Sequence, residues 1–196
     1  MVKLKRKAFR MVGLLFPLTY YLFGDYGFAI TIAILTLFLA IMFTLEYYRF
    51  RYPGLNRWLF RYFRNYIKEK ERARISTTTL YLLACWLLLL LFSPPITIAA
   101  MIFLVFGDPA AEMVGTRFGR VPLLGKSLEG TAAGFLTCLL AGSLLLLLPG
   151  LELNFPLILS GSLAATFMEL IPAPVDDNFT IPLFSASVMK LVQIFL

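Results

Sequence analysis

The chain has 196 residues, of which 60% are hydrophobic and 15% charged, and its mean hydropathy is +0.82. Soluble domains average about 45–50% apolar residues, so this composition excludes a soluble globular protein and indicates an integral membrane protein. The chain contains no histidine, which excludes a histidine general base, a phosphohistidine intermediate and the common zinc sites. Cys85 and Cys138 lie in apolar segments, where thiols usually pack rather than react.

The N-terminal segment joins basic residues to an apolar stretch, as a signal peptide does. No small-residue cleavage site follows, and a second apolar segment begins at once. We therefore expect a retained first span.

Seven apolar segments approach the length of about 20 residues that a transmembrane helix needs. Turn signals rich in glycine, proline and asparagine separate several of them. The predicted spans are 10–24, 27–46, 77–92, 95–116, 130–149, 156–171 and 179–195. The sequence thus predicts an all-α, polytopic transmembrane bundle of about seven helices, formed by residues 1–196 as a single integral membrane domain.

Basic residues are confined to a few places. All but one of the 18 lysines and arginines fall in the first ten residues, in segment 49–76 or in segment 107–131. The positive-inside rule then predicts a cytoplasmic N-terminus. It also places two polar blocks, 107–131 and 169–178, on the cytoplasmic face, where nucleotides are found. The compact length without an organelle signal favours a prokaryotic cell membrane.

Segment 49–76 interleaves arginines with aromatic residues, as in Arg57, Trp58, Phe60 and Arg61. We expect most of its charges to be solvated, on an interfacial amphipathic helix that contacts anionic lipid headgroups. A nucleic-acid partner is not expected, because the apolar residues of this segment need an apolar environment, which the membrane provides.

The first polar block begins with Gly107-Asp108-Pro109. Proline disfavours helix at the residue before it, so we expect Asp108 to break the helix and cap a new one. Glu112 lies four residues on, on the same face, and two carboxylates in a low-dielectric site repel unless a cation lies between them. Mg²⁺ is commonly held by one or two carboxylates plus substrate phosphates. The alternative is that Asp108 only caps a helix and Glu112 pairs with Arg117 or another cation.

Glycines and basic residues alternate through the rest of this block, at Gly115, Arg117, Gly119, Arg120, Gly125 and Lys126. Glycine permits close backbone approach to a phosphate, and the cations would neutralise it. The block is not a P-loop, because that motif requires glycine where Arg120 stands. Ser127 is expected to cap the next helix, and Lys126 either contacts a phosphate or pairs with Glu129.

The second polar block places Glu169 at the end of the sixth predicted helix, where the helix dipole disfavours a carboxylate, so a cation is needed there. Asp176, Asp177 and Asn178 follow a Pro-x-Pro turn and offer oxygen ligands or a base. Adjacent acids do not face each other, so only one of Asp176 and Asp177 is expected to reach the site, and the sequence does not rank them.

Two further charges are isolated within apolar segments. Glu46 either pairs with Arg49 or contacts a lipid hydroxyl. For Lys190 the simplest interpretation is that its ammonium extends to the membrane surface. The sequence does not decide the role of either residue.

Three blocks, GDPAAEMVGTRFG, GKSLEGTAAG and MELIPAPVDDNFTIPL, resemble the CTP-dependent lipid-alcohol kinases, the group of dolichol kinase, phytol kinase and CTP-dependent diacylglycerol kinase. Their order and spacing are specific together, and the resemblance covers about residues 69–185. Glu71 with the downstream STTTLYLLA resembles that group's entry into its third helix. The group is similar in layout to phosphatidate cytidylyltransferases. The present chain lacks their C-terminal signature of paired glycines and a histidine, which favours the kinase interpretation.

The resemblance implies transfer of the CTP γ-phosphate to the hydroxyl of a polyprenol or dolichol, phytol or diacylglycerol, giving CDP and a lipid phosphate with Mg²⁺ as cofactor. Phosphoryl transfer requires mainly alignment and charge neutralisation. The resemblance and the patterns above together assign catalytic roles to Asp108, Glu169 and Asp177. They assign metal binding to Asp108, Glu112 and Asp177. The residues expected to bind the nucleotide or its phosphates are Arg117, Gly119, Lys126, Ser127, Glu129 and Asn178.

Two other functions are weighed against this one. A phosphatidate cytidylyltransferase would make CDP-diacylglycerol and release pyrophosphate instead of CDP. A transporter would carry mid-membrane charges and an inverted internal repeat; the sequence has no visible repeat, and its acids fall at helix ends. The apolar helices carry no polar pattern that selects one lipid alcohol, and oligomeric state is left open.

Overall fold

The computed structural model describes residues 15–63, 69–172 and 174–196. The basic residues of positions 3–10, together with Arg64 and Lys68, lie outside this part of the chain. Within it the fold is helical apart from one short hairpin, which confirms the all-α prediction.

In the described residues the helices follow the apolar segments in chain order, except for Pro53–Tyr62, which lies in the basic segment 49–76. They are α1 (Leu15–Leu22), α2 (Gly24–Arg51), α3 (Pro53–Tyr62), α4 (Thr77–Leu91), α5 (Pro94–Ile102), α6 (Asp108–Phe118), α7 (Leu128–Leu145), α8 (Phe155–Leu170) and α9 (Asp177–Ile194). A 3₁₀ turn at Glu69–Ala73 precedes α4, and strands β1 (Pro122–Leu123) and β2 (Lys126–Ser127) join α6 to α7.

Three helices of the described residues are long and apolar enough to cross a membrane: Tyr26–Arg51, Pro94–Phe118 and Leu128–Leu145. Thr77–Leu91 and Phe155–Leu170 are shorter apolar helices. Phe103, Ile158 and Met189 are fully buried where α5, α8 and α9 meet, so the core of the bundle is apolar. This architecture fits a helical membrane bundle, while its orientation in the membrane stays a prediction.

Asp108 does not break its helix, so that prediction is wrong. α5 continues through a π-helical turn, Phe103–Gly107, into α6, and Asp108 itself is helical with φ −61° and ψ −45°. Pro109 has no N–H, and its ring would crowd the preceding turn of a regular helix; the wider π turn relieves that conflict. Asp108 and Glu112 consequently lie on one continuous helix, one turn apart.

Glycines allow α6 and α7 to pack closely. A Cβ atom added to Gly130 would lie 2.7 Å from the Ala111 carbonyl oxygen and 2.9 Å from the Gly115 Cα atom. A Cβ atom on Gly119 would lie 2.7 Å from the Ser127 Cβ atom. Small residues at such contacts let two helix backbones approach. Gly115 and Gly119 thus have a packing role in addition to the phosphate approach that the sequence predicts.

Segment 49–76 is not uniformly solvated, and Arg49 is its buried basic residue among those that the structure describes. Arg57 and Arg61 are exposed on α3, but Arg49 at the end of α2 is only 5% exposed. Its Nε donates to Glu46 Oε2 at 2.7 Å, which confirms the Glu46–Arg49 pairing. The same guanidinium donates to the carbonyl of Glu71 at 2.8 Å, so the pair attaches the turn before α4 to α2. Lys190 is exposed on α9.

Candidate functional site

A cavity of about 710 Å³ opens where α6, the hairpin, α7, α8 and α9 converge. Residues from both polar blocks line it, although they lie far apart in the chain. The charged residues among them are Asp108, Glu112, Arg120, Lys126, Glu169 and Asp177. The fold therefore gathers four carboxylates and two cations around one cavity of a largely apolar bundle.

The β1–β2 hairpin places Lys126 at the cavity. Leu124 and Gly125 form its turn with φ values of 47° and 85°, the left-handed conformation that two-residue hairpin turns require. Ser127 then caps α7 by accepting the Gly130 N–H at 3.2 Å, which confirms the predicted cap. The hairpin itself was not predicted, because two-residue strands leave no periodic pattern in the sequence.

Lys126 is the cation that Glu169 needs at the end of α8. Its Nζ lies 2.6 Å from Glu169 Oε1, donates also to the Glu169 backbone carbonyl, and lies 4.0 Å from Asp177 Oδ2. The alternative pairing of Lys126 with Glu129 is wrong for this structure. Glu129 instead accepts the backbone N–H of Val121 at 3.2 Å, which holds the hairpin against α7.

The second oxygen of Glu169 is the least satisfied polar atom of the site. Glu169 is 7% exposed, and its Oε2 has no hydrogen-bond partner among the described residues. A buried oxygen without a protein partner is costly, which makes Oε2 a candidate contact for a cation or ligand at this cavity. Because Oε1 already binds Lys126, Oε2 can accept a cation without breaking that pair.

The carboxylates do not form a complete metal site by themselves. In the part of the chain that the structure describes, no group of three or more His, Cys, Asp or Glu side chains could hold a metal ion alone. Mg²⁺, however, commonly takes only one or two protein carboxylates, with phosphates and water as its other ligands. The carboxylate oxygens of Asp108, Glu169 and Asp177, which all line the cavity, suit that mode of binding.

Asp176 and Asp177, which the sequence does not rank, occupy different positions. Asp176 caps α9: its Oδ1 accepts the Asn178 N–H at 3.3 Å. Asp177 lines the cavity and faces Lys126. Burial raises the pKa of the Asp177 carboxyl above its ordinary value, and the charge of Lys126 opposes that rise. Asp177 is therefore the acid of this pair that a bound molecule would meet.

Most of the predicted site residues come together, and a few do not. Those that line the cavity are Asp108, Glu112, Gly119, Lys126, Ser127, Glu169 and Asp177. Three predicted residues do not line the cavity. Arg117 is exposed, with its guanidinium 5.3 Å from the centre of the Phe118 ring. Glu129 supports the hairpin, and Asn178 is buried. Arg120 lines the cavity although the sequence assigned it no individual role; its place in the run of glycines and cations was the available signal.

Comparison with known proteins gives distant relatives. No family model matches the chain, and no solved structure matches it. An uncharacterized protein of Rickettsia prowazekii is 26% identical over 184 residues, which cover 91% of this chain and 89% of that protein. The CTP-dependent diacylglycerol kinase 1 of Schizosaccharomyces pombe is 26% identical over 165 residues, which cover 77% of this chain and 76% of the kinase. The second similarity supports a distant relationship between this chain and the CTP-dependent diacylglycerol kinases.

Proposed function

We propose that this chain is a membrane phosphotransferase that moves the γ-phosphate of CTP to the hydroxyl of a membrane lipid, with CDP and a lipid phosphate as products. The observation that carries the proposal is the meeting of Lys126, Glu169, Asp108 and Asp177 in one open cavity of a largely apolar bundle. The name of the yeast relative supports CTP as donor and favours diacylglycerol as the first acceptor to test.

The cavity suits a nucleotide in size and charge. Small-molecule sites commonly have volumes of about 300–1,000 Å³, and this one has about 710 Å³. Lys126 and Arg120 on its wall would neutralise phosphate oxygens, with Gly119 and Gly125 allowing close approach of the backbone. In this proposal Lys126 contacts both Glu169 and the phosphates of bound CTP.

Mg²⁺ would be held by Asp108 and Glu169 together with phosphate oxygens, and it would neutralise charge that develops during transfer. Glu112, the other acid that the sequence assigned to metal binding, is exposed at the cavity mouth. We assign it a water-mediated role there.

Asp177 would orient the lipid hydroxyl and accept its proton. The hydroxyl oxygen attacks the γ-phosphorus, the bond from that phosphorus to the β–γ bridging oxygen breaks, and CDP leaves with the bond's electron pair. The proton released from the hydroxyl passes to the Asp177 carboxylate. A partly buried base with a raised pKa suits this task, because a base works best when its pKa is near the working pH.

The test uses purified protein in detergent with Mg²⁺ and CTP labelled either at the γ-phosphate or in the cytidine. Diacylglycerol, a polyprenol, phytol and phosphatidate are supplied separately, and lipid extracts are analysed for label. The expected result is γ-label in a lipid phosphate without cytidine label. Cytidine label in phosphatidate-derived lipid, with release of pyrophosphate, would instead identify a cytidylyltransferase. No label in any lipid would contradict both enzymatic functions.

A further inference from the structure

The hydroxyl of Thr77 lies between two carboxylates at the edge of the site. Its Oγ1 is 3.0 Å from Glu71 Oε1 and 3.3 Å from Asp176 Oδ2, and its single hydroxyl proton is shared between these two acceptors. Thr77 begins α4, whereas Asp176 immediately precedes α9, 99 positions later in the chain. This hydroxyl thus connects the starts of two packed helices.

Asp176 uses both carboxylate oxygens at this connection. Oδ1 accepts the Asn178 N–H and caps α9, while Oδ2 accepts the Thr77 hydroxyl. Because the next residue is Asp177, any movement of the cap moves the Asp177 carboxyl relative to Lys126, which lies 4.0 Å from it. The Thr77 contact therefore affects the position of Asp177 through the side chain of Asp176.

Thr77 is itself held from the opposite side. Glu71 is 5% exposed, and its Oε2 accepts the backbone N–H of Thr77 at 3.3 Å. The Glu71 carbonyl in turn accepts a hydrogen bond from the buried Arg49 guanidinium at 2.8 Å. A continuous set of contacts consequently runs from the end of α2, through Glu71 and Thr77, to the first turn of α9.

We propose that Thr77 is a positioning residue for phosphoryl transfer, which fixes the first turn of α9 and thereby aims the Asp177 carboxyl into the cavity. The catalytic part of this inference rests on the proposed function. Since Thr77 does not line the cavity, its removal is expected to affect turnover rather than CTP binding.

The test compares Thr77→Val, which keeps the side-chain volume and removes the donor, with Thr77→Ser, which keeps the donor. Thr97→Val is the control for loss of a threonine hydroxyl: Thr97 is fully buried, whereas Thr77 is partly buried, and Thr97 donates its hydroxyl to the Leu88 carbonyl at 3.0 Å, away from the site. If Thr77→Val does not fold, Thr77→Cys gives the same comparison with a similar size and a weaker donor.

Two measurements are made on each variant: amide hydrogen exchange in the peptide covering residues 176–182, and kcat with KM for CTP. A hydrogen bond to a charged group is strong enough that its loss should accelerate exchange and lower kcat by about tenfold. We expect both effects in Thr77→Val, with KM for CTP changed less than about twofold, and near-normal values in Thr77→Ser. In Thr97→Val, exchange in residues 176–182 and kcat should both stay close to the values of the unaltered protein.

Equal exchange in Thr77→Val and Thr97→Val would overturn the inference. So would faster exchange without a fall in kcat, because Thr77 would then stabilise the helix without aiming a catalytic group. Absence of lipid phosphorylation by the unaltered protein contradicts the proposed function and the catalytic role of Thr77 together. The exchange result separately decides whether Thr77 fixes the start of α9.

Discussion

Lys126 and Glu169, 43 positions apart in the chain, form an ion pair with Lys126 Nζ 2.6 Å from Glu169 Oε1. The pair joins the hairpin to the end of α8. It supplies a cation at a helix end where the dipole alone would disfavour the carboxylate. The Glu169 side chain is 9% exposed and that of Lys126 34% exposed, so the pair is only partly screened by solvent.

Lys126→Met is expected to lower both stability and activity, because Glu169 would remain buried without its cation. Lys126→Met/Glu169→Gln removes both charges and should recover most of the lost thermal stability without recovering phosphoryl transfer. Thermal unfolding in detergent and the γ-label assay, applied to both variants, separate these effects. Recovery of activity in the double variant would mean that the pair has only a structural role.

Asp108→Asn should reduce phosphoryl transfer by at least about a hundredfold, the scale expected when a preorganised charged group is lost from an active site. The fold should be unaffected, because asparagine has the same shape and Asp108 is not the helix cap. Glu152→Gln is the matched control: Glu152 is an exposed acid beyond the other end of α7. Undiminished transfer by Asp108→Asn would contradict the metal-binding role, whatever its thermal stability.

Arg49→Met should be strongly destabilising, by about 3–5 kcal/mol, because it leaves the buried Glu46 carboxylate without its cation. Arg61→Ala, on the exposed face of α3, should change stability by no more than about 0.5 kcal/mol and act chiefly on membrane association. Chemical unfolding in detergent measures the first effect, and flotation with anionic vesicles measures the second. Equal stability losses in the two variants would contradict the structural distinction between these arginines.

Gly130→Ala should destabilise the bundle by about 1–3 kcal/mol, the usual cost of overpacking, because its Cβ would lie 2.7 Å from the Ala111 carbonyl oxygen. Gly54→Ala is the control, since a Cβ there meets nothing within 4 Å and Gly54 lies in the first turn of α3. That change should be neutral or slightly stabilising, because alanine favours helix over glycine. Thermal unfolding of the two variants side by side checks the packing role of Gly130.

The apolar segments and the caps were predictable because they depend on local sequence. Long apolar runs predict helices wherever they occur, and Ser127 caps α7 through a contact only three residues away. The break expected at Asp108 failed because the preference before proline is a local tendency. Asp108 keeps helical dihedral angles, and a π turn in the preceding residues accommodates Pro109 without ending the helix.

Composition and residue order by themselves determined that this is a helical membrane protein with two polar blocks, since burial of apolar surface and backbone hydrogen bonding require nothing else. Only the tertiary structure decided which polar residues meet. Lys126 reaches Glu169 rather than Glu129, and Asp177 rather than Asp176 enters the cavity. Arg49 is buried although its neighbours in the basic segment are exposed. These outcomes depend on how distant helices and one hairpin pack, because hydrogen bonds and ion pairs act over a few ångströms in space and not along the sequence.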